Sequence, residues 1–154
     1  MARPKLGEPA PDFSLPADTG SNISLKDLKG RRVVLYFYPK DDTPGCTKQA
    51  CEFRDLAGQF DRKNTVVLGV SRDPVESHLE FKRKYRLNFP LLADVDHKVH
   101  ERYGAWGEKT SSSGKKAVGA IRSTVVIDEE GKVVSFEPGV NPEGNARRCL
   151  DLLS

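Results

Sequence analysis

Apolar positions along the chain fall into short runs divided by turn residues, and the spacing within each run says what it builds. Arg32-Val33-Val34-Leu35-Tyr36-Phe37-Tyr38 is a continuous β-branched and aromatic stretch of strand length halted by Pro39, the mark of a strand buried on both faces. Val66-Val67-Leu68-Gly69-Val70 is a second such run, and Pro90-Leu91-Leu92 is a short third. Between the first two, Thr43-Pro44 supplies an N-cap hydroxyl and a proline at the first helical position, which predicts a helix to about Lys63. Further helices are expected from about Val75 to Tyr85 and from Lys98 to Tyr103.

The two ends of the chain have a different pattern. Ala10-Pro11-Asp12-Phe13-Ser14-Leu15 and Asn22-Ile23-Ser24-Leu25 flank Asp18-Thr19-Gly20, which predicts an edge hairpin. Thr124-Val125-Val126-Ile127 and Val133-Val134-Ser135-Phe136 flank Asp128-Glu129-Glu130-Gly131, a second hairpin with glycine at the turn, and a last helix opens at Asn141-Pro142-Glu143. Strands that alternate with helices and finish in a hairpin and a helix predict an α/β fold. The expected layout is a central mixed β-sheet flanked by helices, with an N-terminal β-hairpin, an order that fits a thioredoxin-like fold. Residues 107–119, polar and rich in Ser, Lys and Gly, read as a loop that is either mobile or functional.

Composition narrows the class. With 154 residues and 37% hydrophobic content, one domain over 1–154 around one core is expected. The net charge of +3 is modest, and the basic pairs Arg31-Arg32, Arg83-Lys84, Lys115-Lys116 and Arg147-Arg148 are scattered among acids, so no nucleic-acid partner is expected. No stretch approaches the ~20 apolar residues of a membrane span, and Met1-Ala2-Arg3-Pro4-Lys5 lacks the apolar core of a signal peptide. A cytoplasmic protein without a membrane partner is the expectation. Three cysteines are too few for a secreted disulfide framework, and no Cys-x-x-Cys pairs suggest zinc.

The chemistry therefore rests on individual cysteines. Placed at zero on a helix that advances about 100° per residue, Cys46 shares a stripe with Ala50, Phe53, Ala57 and Phe60, all within about 40°. Leu56 lies not far beyond. With Thr43 as N-cap, Cys46 sits in the first turn, where free backbone N–H groups and the positive end of the dipole favour an anion. Thiols in such places ionise in the range ~3.5–7.5 instead of near ~8.5, and a thiolate is the form that attacks peroxide oxygen. Cys51, about 140° round the wheel, falls on the polar face with Lys48, Asp55, Gly58 and Arg62. There it is either an inert surface residue or a partner thiol. Ala146, Cys149, Leu150 and Leu153 recur at i, i+3, i+4 and i+7, so Cys149 is expected in the core of the terminal helix.

The segment Tyr36-Phe37-Tyr38-Pro39-Lys40-Asp41-Asp42-Thr43-Pro44-Gly45-Cys46-Thr47-Lys48-Gln49-Ala50-Cys51 closely resembles the peroxiredoxin family, in particular its bacterioferritin comigratory protein or PrxQ subfamily. The likeness extends to the Ala-Pro-Asp-Phe opening, Gly69-Val70-Ser71, Phe89-Pro90-Leu91-Leu92-Ala93-Asp94 and Ile121-Arg122-Ser123-Thr124. Pro-x-x-x-Thr-x-x-Cys with a second cysteine five positions on is a specific signal. The resemblance implies a thiol peroxidase without cofactor or metal, in which Cys46 is the peroxidatic cysteine and Cys51 the resolving one. It implies that Thr43 hydrogen-bonds the peroxide, Pro39 shields the site and Arg122 lies near the thiolate. It further implies a hydroperoxide substrate, and thioredoxin or a similar dithiol as reductant; a monomer is expected.

On an intact helix, Cys46 and Cys51 would have Cα atoms ~8–9 Å apart, beyond the ~7 Å a disulfide tolerates. Bonding between them is therefore expected to unwind the first turns. The chain departs from the subfamily at Ser111-Ser112-Ser113-Gly114-Lys115, where relatives often carry an aromatic residue before Gly-Lys. Trp106 could cover part of the pocket, but beside a helix end it reads as packing. His97 and His100 are spaced for one helix face, yet in a charged helix without a third ligand they read as solvated residues. A disulfide oxidoreductase of thioredoxin type would carry Cys-x-x-Cys where this chain has Thr43-Pro44-Gly45-Cys46. A non-enzymatic peroxide sensor or holdase using the same disulfide is the alternative function.

Overall fold

The strand that the sequence marks most strongly, β3 (Arg32–Phe37), lies at the centre of a five-stranded sheet. The computed structural model describes residues 4–110 and 113–153, so Met1–Arg3, Ser111, Ser112 and Ser154 lie outside the described residues. Around β3 come β1 (Ser14–Pro16) and β2 (Asn22–Ser24) before it, then α1 (Pro44–Arg62), β4 (Thr65–Ser71), α2 (Val75–Tyr85), β5 (Leu91–Ala93) and α3 (Lys98–Arg102). The chain continues through β6 (Trp106–Thr110), β7 (Lys116–Ala120), β8 (Ser123–Ile127), β9 (Val133–Pro138) and α4 (Asn145–Asp151).

The sheet order is β5-β4-β3-β8-β9, with β3, β4 and β5 parallel and β8 and β9 antiparallel. The period of two along β3 divides its side chains between two cores. Val34 and Tyr36 pack with Phe53 and Phe60 of α1, Phe81 of α2 and Leu150 of α4. Val33, Leu35 and Phe37 pack with Phe13, Leu15, Val99 and Tyr103 on the other face. Both faces are covered, which is why β3 is apolar without a break from Val33 to Phe37. Tyr36 stacks on Phe53 at 4.5 Å, seating α1 on the sheet, so Phe53→Ala would cost about 3–5 kcal/mol and loosen that helix.

The thioredoxin-like α/β layout and the N-terminal hairpin are as expected, with Leu15 opposite Ile23. Gly131 takes φ +84° in the turn before β9, the conformation that favours glycine. Several local expectations need correction. Thr43 is the N-cap of α1, but its hydroxyl does not cap the helix; it donates to the Lys40 carbonyl at 2.9 Å and closes the preceding turn. The last helix starts at Asn145, not at Asn141, because the Asn141 side chain accepts the Glu143 N–H at 2.9 Å in a local turn that Gly144 ends at φ +84°.

The stretch 107–119 is mostly a hairpin. β6 and β7 pair antiparallel, Trp106 opposite Ala120 and Thr110 opposite Lys116. Its residues are exposed on both faces from Glu108 to Val118 where described, so no alternation of polar and apolar residues announced it. His100 is not solvated: it is fully buried, with Nδ1 2.7 Å from Asp94 Oδ2, an oxygen that also accepts the His100 backbone N–H at 2.8 Å. Burial pushes the Asp94 carboxyl up, yet these bonds prevail and hold it below its usual range. The charged neighbours Lys98, Glu101 and Arg102 hid a histidine that shares the inner face with Val99 and Tyr103. His97 stacks on Trp106 at 4.0 Å, so that indole packs against the α3 end, with Arg72 over its ring.

Candidate active site

The Tyr38–Thr43 turn carries the chain from the end of β3 to the start of α1. Pro44 opens the helix, and Cys46 follows in its first turn, 1% exposed. Its stripe is buried as expected at Ala50, Phe53 and Phe60, while Ala57 and Leu56 are only partly covered. Beneath it lies Tyr36; burial first, and the nearby Cys46 second, push its hydroxyl well above the usual phenol range, so it stays neutral.

Arg122 enters from the residue pair before β8. Its Nη2 donates to Cys46 Sγ at 3.3 Å, and its Nη1 donates to Gln49 Oε1 at 2.6 Å. Gln49 in turn donates to Asn145 Oδ1 at 2.8 Å, both residues being buried. This chain of contacts ties the first two turns of α1 to the lead of β8 and the start of α4. A neutral amide, Gln49, thus holds the Arg122 guanidinium against the sulfur. The positive end of α1 and the guanidinium thus act on one sulfur. Gly45 permits the approach, because a Cβ there would stand 3.3 Å from Arg122 Nη2.

Other expected site residues are placed less tightly. Pro39 is half-buried on the turn, two residues past the end of β3. Thr43 is also half-buried, its proton committed to Lys40. Cys51 is half-buried and unbonded, on the α1 face with the exposed Lys48, Asp55, Gly58 and Arg62. The structure therefore unites Cys46 with Arg122 but leaves Cys46 and Cys51 on different sides of an intact helix. Cys149 is buried in the core face of α4, and burial pushes its thiol up to about 12.

Sequence reasoning missed Gln49 and Asn145. The signal for Gln49 was available: at about −60° on the wheel it borders the apolar stripe, so a polar side chain there must find a buried partner. It also missed Asp41 and His78, buried polar residues that join the turn to α2. Among the described residues no group of His, Cys, Asp and Glu is arranged to hold a metal ion. A surface hollow of about 320 Å³, lined by residues that include Leu25, Lys29, Asp128 and Glu130, contains none of the residues around Cys46.

Residues 6–136 match the AhpC/TSA family. A putative peroxiredoxin bcp of Coxiella burnetii is 51% identical over 149 residues, covering 97% of this chain and 98% of that protein. Peroxiredoxin Bcp of Bacillus subtilis is 46% identical over 149 residues, covering 97% and 94%. Among solved structures, a cysteine-to-serine mutant of Xylella fastidiosa PrxQ superposes with a TM-score of 0.90 at 33% identity, covering 98% of this chain and 96% of that one. The bacterioferritin comigratory protein of Xanthomonas campestris, described for its alkyl peroxide reduction activity, gives a TM-score of 0.86 at 37% identity, covering 92% and 89%.

Proposed function

Because the chain belongs to the AhpC/TSA family, as a peroxiredoxin of the Bcp or PrxQ kind and hence a thiol peroxidase, we propose that Cys46 is its peroxide-attacking sulfur and Cys51 its resolving partner. The observation that carries this assignment is the Arg122 guanidinium 3.3 Å from a sulfur in the first turn of α1.

In the first step the Cys46 thiolate attacks one peroxide oxygen. An S–O bond forms, the O–O bond breaks, and the second oxygen leaves as water or alcohol after taking a proton. Arg122 stabilises the sulfur anion before attack and the developing oxyanion during it. Thr43 has its proton engaged at Lys40, so its oxygen is left with lone pairs to accept the hydrogen of the peroxide. Pro39 shields the sulfur from bulk water. Cys51 then displaces water from the Cys46 sulfenic acid to form a disulfide, and an external dithiol restores both thiols by exchange.

One domain over residues 1–154 acts as a cytoplasmic monomer on hydrogen peroxide and organic hydroperoxides, with thioredoxin or a similar dithiol as reductant and no nucleic-acid or membrane partner. Among the described residues no helix is long and apolar enough to cross a membrane. Peroxide consumption coupled to thioredoxin and its reductase tests the proposal. Sustained turnover that disappears in Cys46→Ser is expected; consumption of a single equivalent would instead indicate a sensor or holdase that uses the disulfide as a switch.

A further inference from the structure

We propose that His78 is a positioning residue for the Cys46 site, acting through Asp41 on the turn that carries Pro39 and Thr43. The inference rests on the assignment of Cys46 as the peroxide-attacking sulfur. His78 lies in the first half of α2, 0% exposed, and Asp41 lies between β3 and α1, 7% exposed. Neither residue touches Cys46.

The geometry around the ring fixes its protons. Nε2 stands 2.9 Å from the Leu92 carbonyl oxygen, which can only accept, so Nε2 carries hydrogen. Nδ1 stands 2.7 Å from Asp41 Oδ2, and one proton must lie between them. That carboxylate also accepts from Tyr38 Oη at 2.5 Å and Ser77 Oγ at 2.8 Å. Hydrogen bonds at both of its nitrogens thus string the His78 ring between β5 and the turn.

The same turn is held from its backbone. The Asp41 N–H donates to Asp73 Oδ2 at 2.8 Å, and Ser71 Oγ donates to that oxygen at 2.7 Å. Asp42, at φ +58°, accepts from Lys84 and from Tyr85, each at 2.7 Å. These contacts to Asp41 and Asp42 thus come from Tyr38 after β3, from the β4 end and the turn after it, and from α2, none of them part of α1. His78 links this turn to β5 through the Leu92 carbonyl. Loss of its Nδ1 bond would leave the Asp41 carboxylate to Tyr38 and Ser77 alone and let Pro39 and Thr43 shift relative to Cys46.

Two substitutions separate this role from general stability. In His78→Asn the amide falls near the place of Nδ1 and keeps a donor for Asp41; in His78→Gln it falls near Nε2 and keeps the Leu92 contact instead. Both should lower the melting temperature. The second-order rate of Cys46 oxidation by hydrogen peroxide, measured by competition with a haem peroxidase, should fall about 10-fold or more in His78→Gln and much less in His78→Asn. Equal rates in the two variants, with an active wild type, would overturn the inference alone. A wild type inert to peroxide would overturn the Cys46 assignment, and this role with it. A second readout needs no variant: 15N spectra of the reduced wild type should show the His78 Nε2 protonated, and a ring protonated at Nδ1 alone would overturn the clamp.

Discussion

Arg122 Nη2 and Cys46 Sγ are 3.3 Å apart although 76 residues separate them in the chain. The contact exists because β8 pairs antiparallel with β3, which brings the residue before β8 beside the helix that follows β3. Sheet topology, more than local sequence, delivers a guanidinium to the sulfur.

Replacing Arg122 by Met should slow the reaction of Cys46 with hydrogen peroxide by about 10²–10³-fold, the usual cost of losing one donor to a developing oxyanion. Arg122→Lys should recover only part of the rate, because a point charge cannot serve both the sulfur and Gln49. Stopped-flow kinetics of the reduced protein give these rates, and an unchanged rate in Arg122→Met would remove the residue from the chemistry.

The expected disulfide conflicts with the reduced structure. Cys46 and Cys51 belong to one unbroken helix, and residues five apart on a helix have Cα atoms ~8–9 Å from each other against a limit of ~7 Å. Oxidation should therefore abolish amide protection over residues 44–54 and leave β3 and β4 protected. Hydrogen exchange on reduced and oxidised protein measures this; equal protection in both would contradict the unwinding.

Much of this arrangement was legible in the sequence. Uninterrupted apolar runs marked β3 and β4, and the wheel placed Cys46, Ala50, Phe53 and Phe60 on one buried stripe. What stayed hidden depended on partners remote in sequence. Gln49 has a reason to be buried only once Arg122 and Asn145 are beside it, and His100 only once Asp94 is. The β6–β7 hairpin escaped because both its faces meet water, which erases the alternation that identifies a strand. Asn141 and Thr43 carried helix-start signals, but each spent its side chain on a neighbouring turn instead.

Cys149 should behave as an inert core thiol. In the folded protein at pH 8, iodoacetamide should modify Cys51 and Cys46 well before Cys149, as peptide mass analysis would show. Burial raises its titration from the ordinary 9.0 to about 12, so the unfolded chain loses this proton first. Between those values the unfolded state binds fewer protons than the folded one, and stability falls with rising pH by at most about 1.4 kcal/mol per unit from this group. Denaturant titrations from pH 8 to 11 should show a shallower decline in Cys149→Ala; an identical slope would contradict the assignment.

The chemistry depends on which sulfur reacts and which one answers it. The most direct test is peptide mass mapping, without reductant, of reduced protein after one equivalent of hydrogen peroxide. A Cys46–Cys51 linkage with Cys149 still free is the predicted result. Sulfenic acid persisting on Cys46 would contradict the role of Cys51, and a Cys46 left unoxidised would contradict the mechanism as a whole.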